Sequence, residues 1–320
     1  MNLKMMNNKL IILIALFLFL IVVVSSLLIG SVKIDLTNLN QITAKIFWGI
    51  RLPRIMLGII TGIVLATSGG VLQGMLNNPL AEPYLLGISS GAALGSIIAI
   101  VIKKVFLMPI LGFLGAMLSI FLVWQLAKRQ KVVERTKLIL AGIILNLFFS
   151  ALIALLMSIF QQELGQIFSV LMGNLNYVFT HLTIKILWVI SIVVILGVIT
   201  INFFAQRINI LSLGDYTADS LGVEVQSTRK ILFVLSSLLV GLVVSFTGII
   251  GFVGLIIPHI SRMIIGNDNR LLLPLSAILG ATFLVFCDTI ARTAFVIELP
   301  VGVVTSLFGA PFFIYLLKKN

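Results

Sequence analysis

Long uncharged, apolar runs alternate with short polar segments from one end of the chain to the other. A helix needs about 20 apolar residues to cross the hydrocarbon core of a bilayer. The runs that approach or exceed this length are Leu10 to Ile29, Ile55 to Leu76, Tyr84 to Ile102, Val105 to Leu126, Leu138 to Phe160, Ile186 to Ala205, Ile231 to Ser261, Leu271 to Cys287 and Leu299 to Leu317. The stretch from Ile231 to Ser261 is too long for one crossing. It carries Gly248, Gly251 and Gly254 near its middle, where backbone can bend or reverse if neighbouring protein satisfies it. Counted as two helices, it brings the total to ten. The pattern therefore predicts an all-α, polytopic membrane protein with one transmembrane domain over residues 1–320, since the segments between the runs are too short to fold as a further domain.

The charges give this pattern a direction. Lys4 and Lys9 precede the first helix and Lys318 and Lys319 follow the last; basic ends favour the cytoplasm, and two cytoplasmic termini require an even number of spans. The same topology puts Lys128, Arg129, Lys131, Arg135 and Lys137 inside after the fourth helix, and Arg207, Arg229 and Lys230 inside around the loop after the sixth. Leu10 to Ile29 exceeds the apolar core of a signal peptide, about 7 to 15 residues, and no small-residue cleavage site follows it. It is counted as a span.

Composition excludes several classes. Of the 320 residues 60% are hydrophobic and only 10% charged, with a mean hydropathy of +1.23, against roughly 25% charged in soluble domains. The net charge of +12 does not point to nucleic acid, because the basic residues form short clusters between apolar runs and no solvated recognition face carries them. Cys287 is the one cysteine, which excludes a disulfide framework and reads as a packed small hydrophobe. The chain has no G-x-x-x-x-G-K-[S/T] phosphate loop, so any ATP-driven step belongs to a motor on another polypeptide.

Several stretches depart from a generic span. Gly87, Gly91 and Gly95, with Ser90 between them, lie at i, i+4 and i+8 on the third helix. Such a face either packs tightly against a neighbouring helix or forms a smooth wall along a wide passage. Asn77-Asn78-Pro79-Leu80-Ala81-Glu82-Pro83 is a turn at the cytoplasmic face: an ordinary helix-breaking connection, or a gate closed by Asn78, Pro79 and Leu80. The segment Gly30 to Arg54 is expected outside, yet carries Lys33, Lys45, Arg51 and Arg54 against the single acidic Asp35, contrary to the positive-inside bias. Arg51 and Arg54 start the second span and Arg292 lies at the outer end of the ninth. Headgroup anchoring and docking of an acidic external partner by bidentate arginines both account for them.

On the inner side, residues 211–224 read as short helical turns outside the bilayer. Asp215 supplies an N-terminal charge or cap and Gly222 a stop, while Leu213, Gly214, Ala218 and Leu221 complete a segment suited either to a solvated connector or to a partner's groove. Asp288 and Arg292 are spaced i, i+4 and can pair. His259 and Arg262 read as structural. With two histidines and no acidic residues dispersed through the spans, a proton-coupled carrier or metal channel lacks its polar pathway.

Six blocks in order resemble one family over almost the whole chain. They are Arg51-Leu52-Pro53-Arg54; Gln73 with Asn78-Pro79-Leu80-Ala81-Glu82-Pro83; Leu86-Gly87-Ile88-Ser89-Ser90-Gly91-Ala92; Leu140-Ala141-Gly142; Gly251 through His259; and Glu298 through Thr305 with Gly309-Ala310-Pro311-Phe312-Phe313. The family is that of the permeases of ABC importers for iron siderophores, haem and cobalamin. The resemblance implies a homodimer of ten-helix subunits in the cell membrane, with the path along its twofold axis. It also implies two cytoplasmic ATPase subunits that bind the ATP and Mg, an external substrate-binding protein, and no cofactor on this chain. It further implies that Arg51, Arg54 and Arg292 meet acidic residues of the binding protein, that Asn78-Pro79-Leu80 contributes to a cytoplasmic gate, and that Leu213 to Gly222 is similar to the coupling helices seated in the ATPase. The family's second gate loop corresponds to Glu134-Arg135-Thr136, charged here where small hydroxyl residues can occur, and no second gate is assigned. The expected function is ATP-driven import of a bulky chelate, ferric siderophore first and haem or corrinoid by the same mechanism. Rival readings are a channel or secondary carrier, which would work without an ATPase, and an intramembrane enzyme, for which no reactive pair or metal-ligand cluster stands at suitable spacing.

Overall fold

The computed structural model describes residues 8–30, 41–129, 132–179, 184–295 and 297–319; of the charges invoked above, Lys4, Lys33, Asp35 and Lys131 lie outside the described residues. In chain order the helices are α1 (Asn8–Leu28), α2 (Gln41–Ile46), α3 (Leu52–Leu76), α4 (Ile88–Val101), α5 (Met108–Ala127), α6 (Arg135–Ile159), α7 (Leu164–Met172), α8 (Ile184–Phe203), α9 (Ala205–Leu211), α10 (Asp215–Ser220), α11 (Val225–Thr247), α12 (Val253–Ile265), α13 (Asn269–Thr293) and α14 (Val301–Lys319). A π turn, Phe47–Arg51, joins α2 to α3, and a two-residue antiparallel ribbon pairs Lys128–Arg129 with Val132–Val133 between α5 and α6.

Ten of these helices, α1, α3, α4, α5, α6, α8 and α11 to α14, follow the ten predicted spans in order. Among the described residues seven helices are long and apolar enough to cross a membrane, and the apolar stretches Ile88–Val101, Val253–Ile265 and Val301–Tyr315 are shorter. The boundaries moved where charge had ended a run. α11 begins at Val225 rather than Ile231 and α13 continues past Cys287 to Thr293, because Arg229, Asp288 and Arg292 find partners inside the protein. α4 starts later than predicted because Gly87, at φ 74°, separates it from a 3-10 turn, Pro83–Leu86. The long run divides at Gly248–Phe252, where Gly248 and Phe252 both take positive φ, 68° and 69°. A bulky residue rarely adopts that conformation. Broken backbone at this depth is tolerated because protein satisfies it: Ile249 N–H donates to Val170 at 3.0 Å and the Thr247 carbonyl accepts from Asn174 N–H at 2.8 Å.

α3 is the centre of the bundle and α1 and α5 lie at its edge. Glycine permits the central contacts. A Cβ at Gly62 would overlap the Gly280 carbonyl on α13, and one at Gly69 the Gly254 carbonyl on α12, so these backbones touch directly, as small-residue faces allow. Leu13, Phe17 and Leu20 of α1, Phe121 of α5 and Val189 and Leu196 of α8 are exposed. In water such apolar surface would be a liability; in lipid it is the expected exterior.

Candidate functional site

Three features lie along the bundle: a cluster of arginines at one end, a chamber within, and a group of short helices and turns at the other end. At the arginine end, α1 stops with its last carbonyls unsatisfied, as every helix does, and cations are favoured there. Arg51 Nη1 donates to Leu27 and Leu28 oxygens (2.9 and 3.3 Å), and Arg292 Nη2 to the Ser26 carbonyl and hydroxyl (both 2.6 Å). Arg54 takes Asp288 through Nε and Nη2 (2.8–3.2 Å) and Glu298 through Nη1 (3.0 Å). The predicted i, i+4 pair between Asp288 and Arg292 is present, at 3.4 Å, but the closer partner of Asp288 is Arg54, from a span distant in sequence. Arg51, Arg54 and Arg292 are all buried. The three arginines that looked unrewarded in sequence are thus held by helix-end carbonyls and two acidic side chains. Burial works against ionisation of Glu298, but the Arg54 guanidinium outweighs it and holds the carboxyl below its usual range.

The chamber has a volume of about 940 Å³. Its walls come from the turn before α4, α4, α6, α7, the Gly248–Phe252 break and α14, with Ile153, Met157, Leu171, Ile249, Phe252 and Leu307 among the apolar lining. Among the described residues Glu82 is the one acidic or basic side chain that lines it, and Tyr84, Ser90, Asn146, Ser150 and Ser306 supply the other side-chain polar groups. The buried Oδ1 of Asn146 has no hydrogen-bond partner among the described residues. Such a space holds a large, mostly apolar object and offers it a few polar contacts.

The small-residue face of α4 divides between the two roles considered for it. Ser90 lines the chamber. Gly91 and Gly95 instead face α5, where added Cβ atoms would meet the Gly115 and Leu111 carbonyls, and Gly87 lies against Gly142 and Ser119. Of the two roles considered for them, these three glycines take close helix approach in this structure. Sequence reasoning passed over most of the lining. α7 lies between the runs Leu138 to Phe160 and Ile186 to Ala205, where the pattern of spans assigns no element, although Leu164, Ile167 and Leu171 recur at helical spacing; it is too short to register as a span.

At the opposite end, Asn78 Oδ1 accepts from Leu80 N–H at 2.9 Å, fixing the turn after α3, and Leu80 is exposed. Asn77, Asn78 and Pro79 border a smaller cavity of about 360 Å³ with Gln73, His259 and Arg262. Arg262 donates to Gln73 Oε1 at 2.6 Å, and His259 meets Phe312 edge to face. α10 is bracketed by Gly214 at φ 113° and Gly222 at φ 79°. Leu213, Tyr216 and Leu221 are 63, 88 and 58% exposed, so the apolar side chains of this segment, Ala218 apart, point away from the chain. Of the two roles read for Asp215, it supplies the charge in the first turn of α10 and caps no backbone group; its carboxylate pairs with Arg135 and Arg229. Burial disfavours its charge, but the two guanidinium groups prevail and hold it below the usual carboxylate range.

The FecCD transport family matches residues 17–319. The cobalamin import system permease protein BtuC of Halobacterium salinarum is 40% identical over 281 residues, which cover 87% of this chain and 75% of the relative. The hemin transport system permease protein HmuU of Yersinia pestis is 38% identical over 295 residues, 89% of this chain and 86% of the relative. A solved metal-chelate type ABC transporter in an inward-facing conformation superposes with a TM-score of 0.85 at 33% identity, over 98% of this chain and all of that one. With the ten spans, the chamber between them and a match along nearly the whole length, the chain belongs to the FecCD transport family and is a membrane permease, not an enzyme.

Proposed function

We propose that this chain is the membrane-spanning half of a homodimeric ABC importer, and that each chamber forms one side of a path for a bulky metal chelate entering the cytoplasm. The observation that carries the reading is a large, mainly apolar chamber, bounded by a broken helix and by the turn before α4, in a permease of this family. Relatives named for cobalamin and for hemin stand at nearly equal identity. The substrate class is therefore a large chelate, with a ferric siderophore as the first compound to test and haem or corrinoid as the alternatives.

In this reading the arginine end faces outward, both termini and α10 lie in the cytoplasm, and two ATPase subunits bind and hydrolyse ATP against the exposed Leu213, Tyr216 and Leu221. The segment Leu213 to Gly222, including Gly214, Asp215 and Ala218, is the coupling segment. Asn78, Pro79 and Leu80 form the cytoplasmic gate. An external binding protein docks on the rim built from Arg51, Arg54 and Arg292, one of its carboxylates replacing Glu298 on Arg54 Nη1. ATP-dependent alternation between outward-open and inward-open states drives passage, because the partners bind the two states unequally.

The test is uptake into proteoliposomes holding this chain, its cognate ATPase and its binding protein, offered a ferric siderophore, hemin and cobalamin in parallel. Uptake of one compound that requires all three components is the expected result. Uptake indifferent to ATP and to the binding protein would replace the importer with a channel or carrier. Charge reversal at Arg51 should weaken binding-protein affinity, more so at low salt; unchanged affinity at every ionic strength would remove the arginine rim from the docking site.

A further inference from the structure

Two arginines from other helices, Arg135, 80 residues before it, and Arg229, 14 residues after it, meet at the carboxylate of Asp215. Arg135, the first residue of α6, donates through Nε to Asp215 Oδ1 at 2.9 Å, and through Nη2 to the same oxygen and to the Leu211 carbonyl at the end of α9. Arg229, in the second turn of α11, donates through Nη2 to both Asp215 oxygens at 2.7 and 2.8 Å, and through Nη1 to the Val133 carbonyl at 2.7 Å. Gln226 Oε1 closes the set by accepting from Val133 N–H at 2.9 Å. Arg229 is fully buried while the Asp215 side chain is 47% exposed. A buried guanidinium requires its counter-charge far more than an exposed carboxylate does, so Arg229 holds Asp215 in place and, through it, holds α10.

Little else ties α10 to the bundle. Glycines with positive φ flank it, nothing stands within 4 Å of a Cβ built at Gly214 or Gly222, and Ala218 is its one buried side chain. On the other side of the joint, α6 runs from Arg135 past Gly142, which packs against Leu85 and Leu86 of the turn before α4, to the chamber-lining Asn146, Ser150, Ile153 and Met157. At about 1.5 Å per residue, those side chains stand roughly 16 to 33 Å along a continuous helix from Arg135. The close contact at Gly142 lies between the joint and the wall, where a tilting helix pivots.

We propose that the Arg135–Asp215–Arg229 junction is the joint that passes a displacement of α10 to the chamber wall on α6, with Asp215 as a positioning residue for coupling. This rests on the reading that α10 meets the ATPase. It also accounts for the charged start of α6, since Arg135 occupies that position to reach Asp215 and Leu211.

Wild type, Asp215→Asn, Asp215→Glu and Arg135→Gln are reconstituted with the ATPase and binding protein. ATP hydrolysis and uptake of a ferric siderophore, hemin and cobalamin are then measured on the same vesicles. The expected result is uncoupling. Arg135→Gln, outside the coupling segment, retains ATPase association and hydrolysis within about two-fold of wild type while uptake per ATP falls at least ten-fold; uptake per ATP falls as far in Asp215→Asn, and Asp215→Glu recovers most of it. Unchanged uptake per ATP in Asp215→Asn or, if that variant does not accumulate, in Arg135→Gln would overturn the joint and leave the import reading standing. Loss of hydrolysis in proportion to uptake would overturn it too, because it would mark a defect of assembly. Absence of ATP-dependent uptake by the wild-type complex would overturn the import reading and the joint together.

Discussion

Replacing Asp288 by asparagine removes one charge from a cluster in which every group but Glu298 is buried. The Asp288 side chain is 1% exposed and that of Arg54 10%. Asp288 accepts three hydrogen bonds from Arg54 and faces Arg292 at 3.4 Å. Among Arg51, Arg54, Arg292, Asp288 and Glu298 the formal balance is three positive against two negative; the substitution makes it three against one. Removing one partner of a buried ion pair costs about 3–5 kcal/mol, because the other charge remains desolvated without compensation. Arg54 keeps Glu298, which places the cost near the lower limit, about 3 kcal/mol. At roughly 2 °C per kcal/mol for a chain of this size, the midpoint of thermal unfolding in detergent should fall by roughly 6 °C. Tryptophan fluorescence reads it, since Trp48, Trp124 and Trp188 lie on α3's leading turn, α5 and α8. Glu298→Gln supplies the comparison: that side chain is 42% exposed, solvent screens it, and its loss should cost below about 1 kcal/mol. A fall of less than roughly 2 °C for Asp288→Asn, or a fall no larger than that of Glu298→Gln, would refute the reasoning that Asp288 is what makes the buried arginines tolerable.

Further outcomes follow from particular contacts. Gly69→Val puts a branched side chain into the Gly254 carbonyl and should abolish accumulation of folded protein, whereas Gly165→Val, where nothing lies within 4 Å, should accumulate normally on a membrane blot. Tyr216→Asp on the exposed face of α10 should reduce co-purification of the ATPase at least ten-fold while leaving the thermal midpoint unchanged. Asp268 accepts from Arg270 and Asn209, and the Arg270 bond foremost pulls its pKa down to about 2. A depressed folded-state pKa gives stability that is present above the unfolded value, about 3.9, and is lost as pH falls through the folded one. The deficit of Asp268→Asn relative to wild type should therefore be constant from neutral pH down to about 5 and shrink below about 4; a deficit independent of pH would assign the effect to the amide's packing instead.

The spans were legible because the bilayer imposes a length and an apolarity that no local detail overrides; even the division of the long run was visible in the spacing of Gly248, Gly251 and Gly254. What sequence could not show was which partner satisfies each charge. Arg54 and Asp288 are 234 residues apart, and Asp288 had a ready local partner at i+4, so pairing by proximity in sequence chose Arg292. Asp215 likewise looked like a helix cap because a cap is local, while Arg135 and Arg229 come from other helices. The glycines of α4 were ambiguous for a different reason: a small residue serves a wall and a packing face equally, and only the position of α5 decides. The chamber was hidden because its lining comes from six segments, one of which, α7, is too short to be noticed as membrane structure.

Gly251 sits in the broken stretch between α11 and α12, lines the chamber, and has nothing within 4 Å of where a side chain would project; its φ is not in the left-handed region. Neither conformation nor packing demands glycine there. What the missing side chain supplies is clearance, a local width of the passage set independently of stability. The chamber can thus be narrowed by one substitution at Gly251 without touching the scaffold, since any residue other than glycine adds bulk where nothing stands within 4 Å.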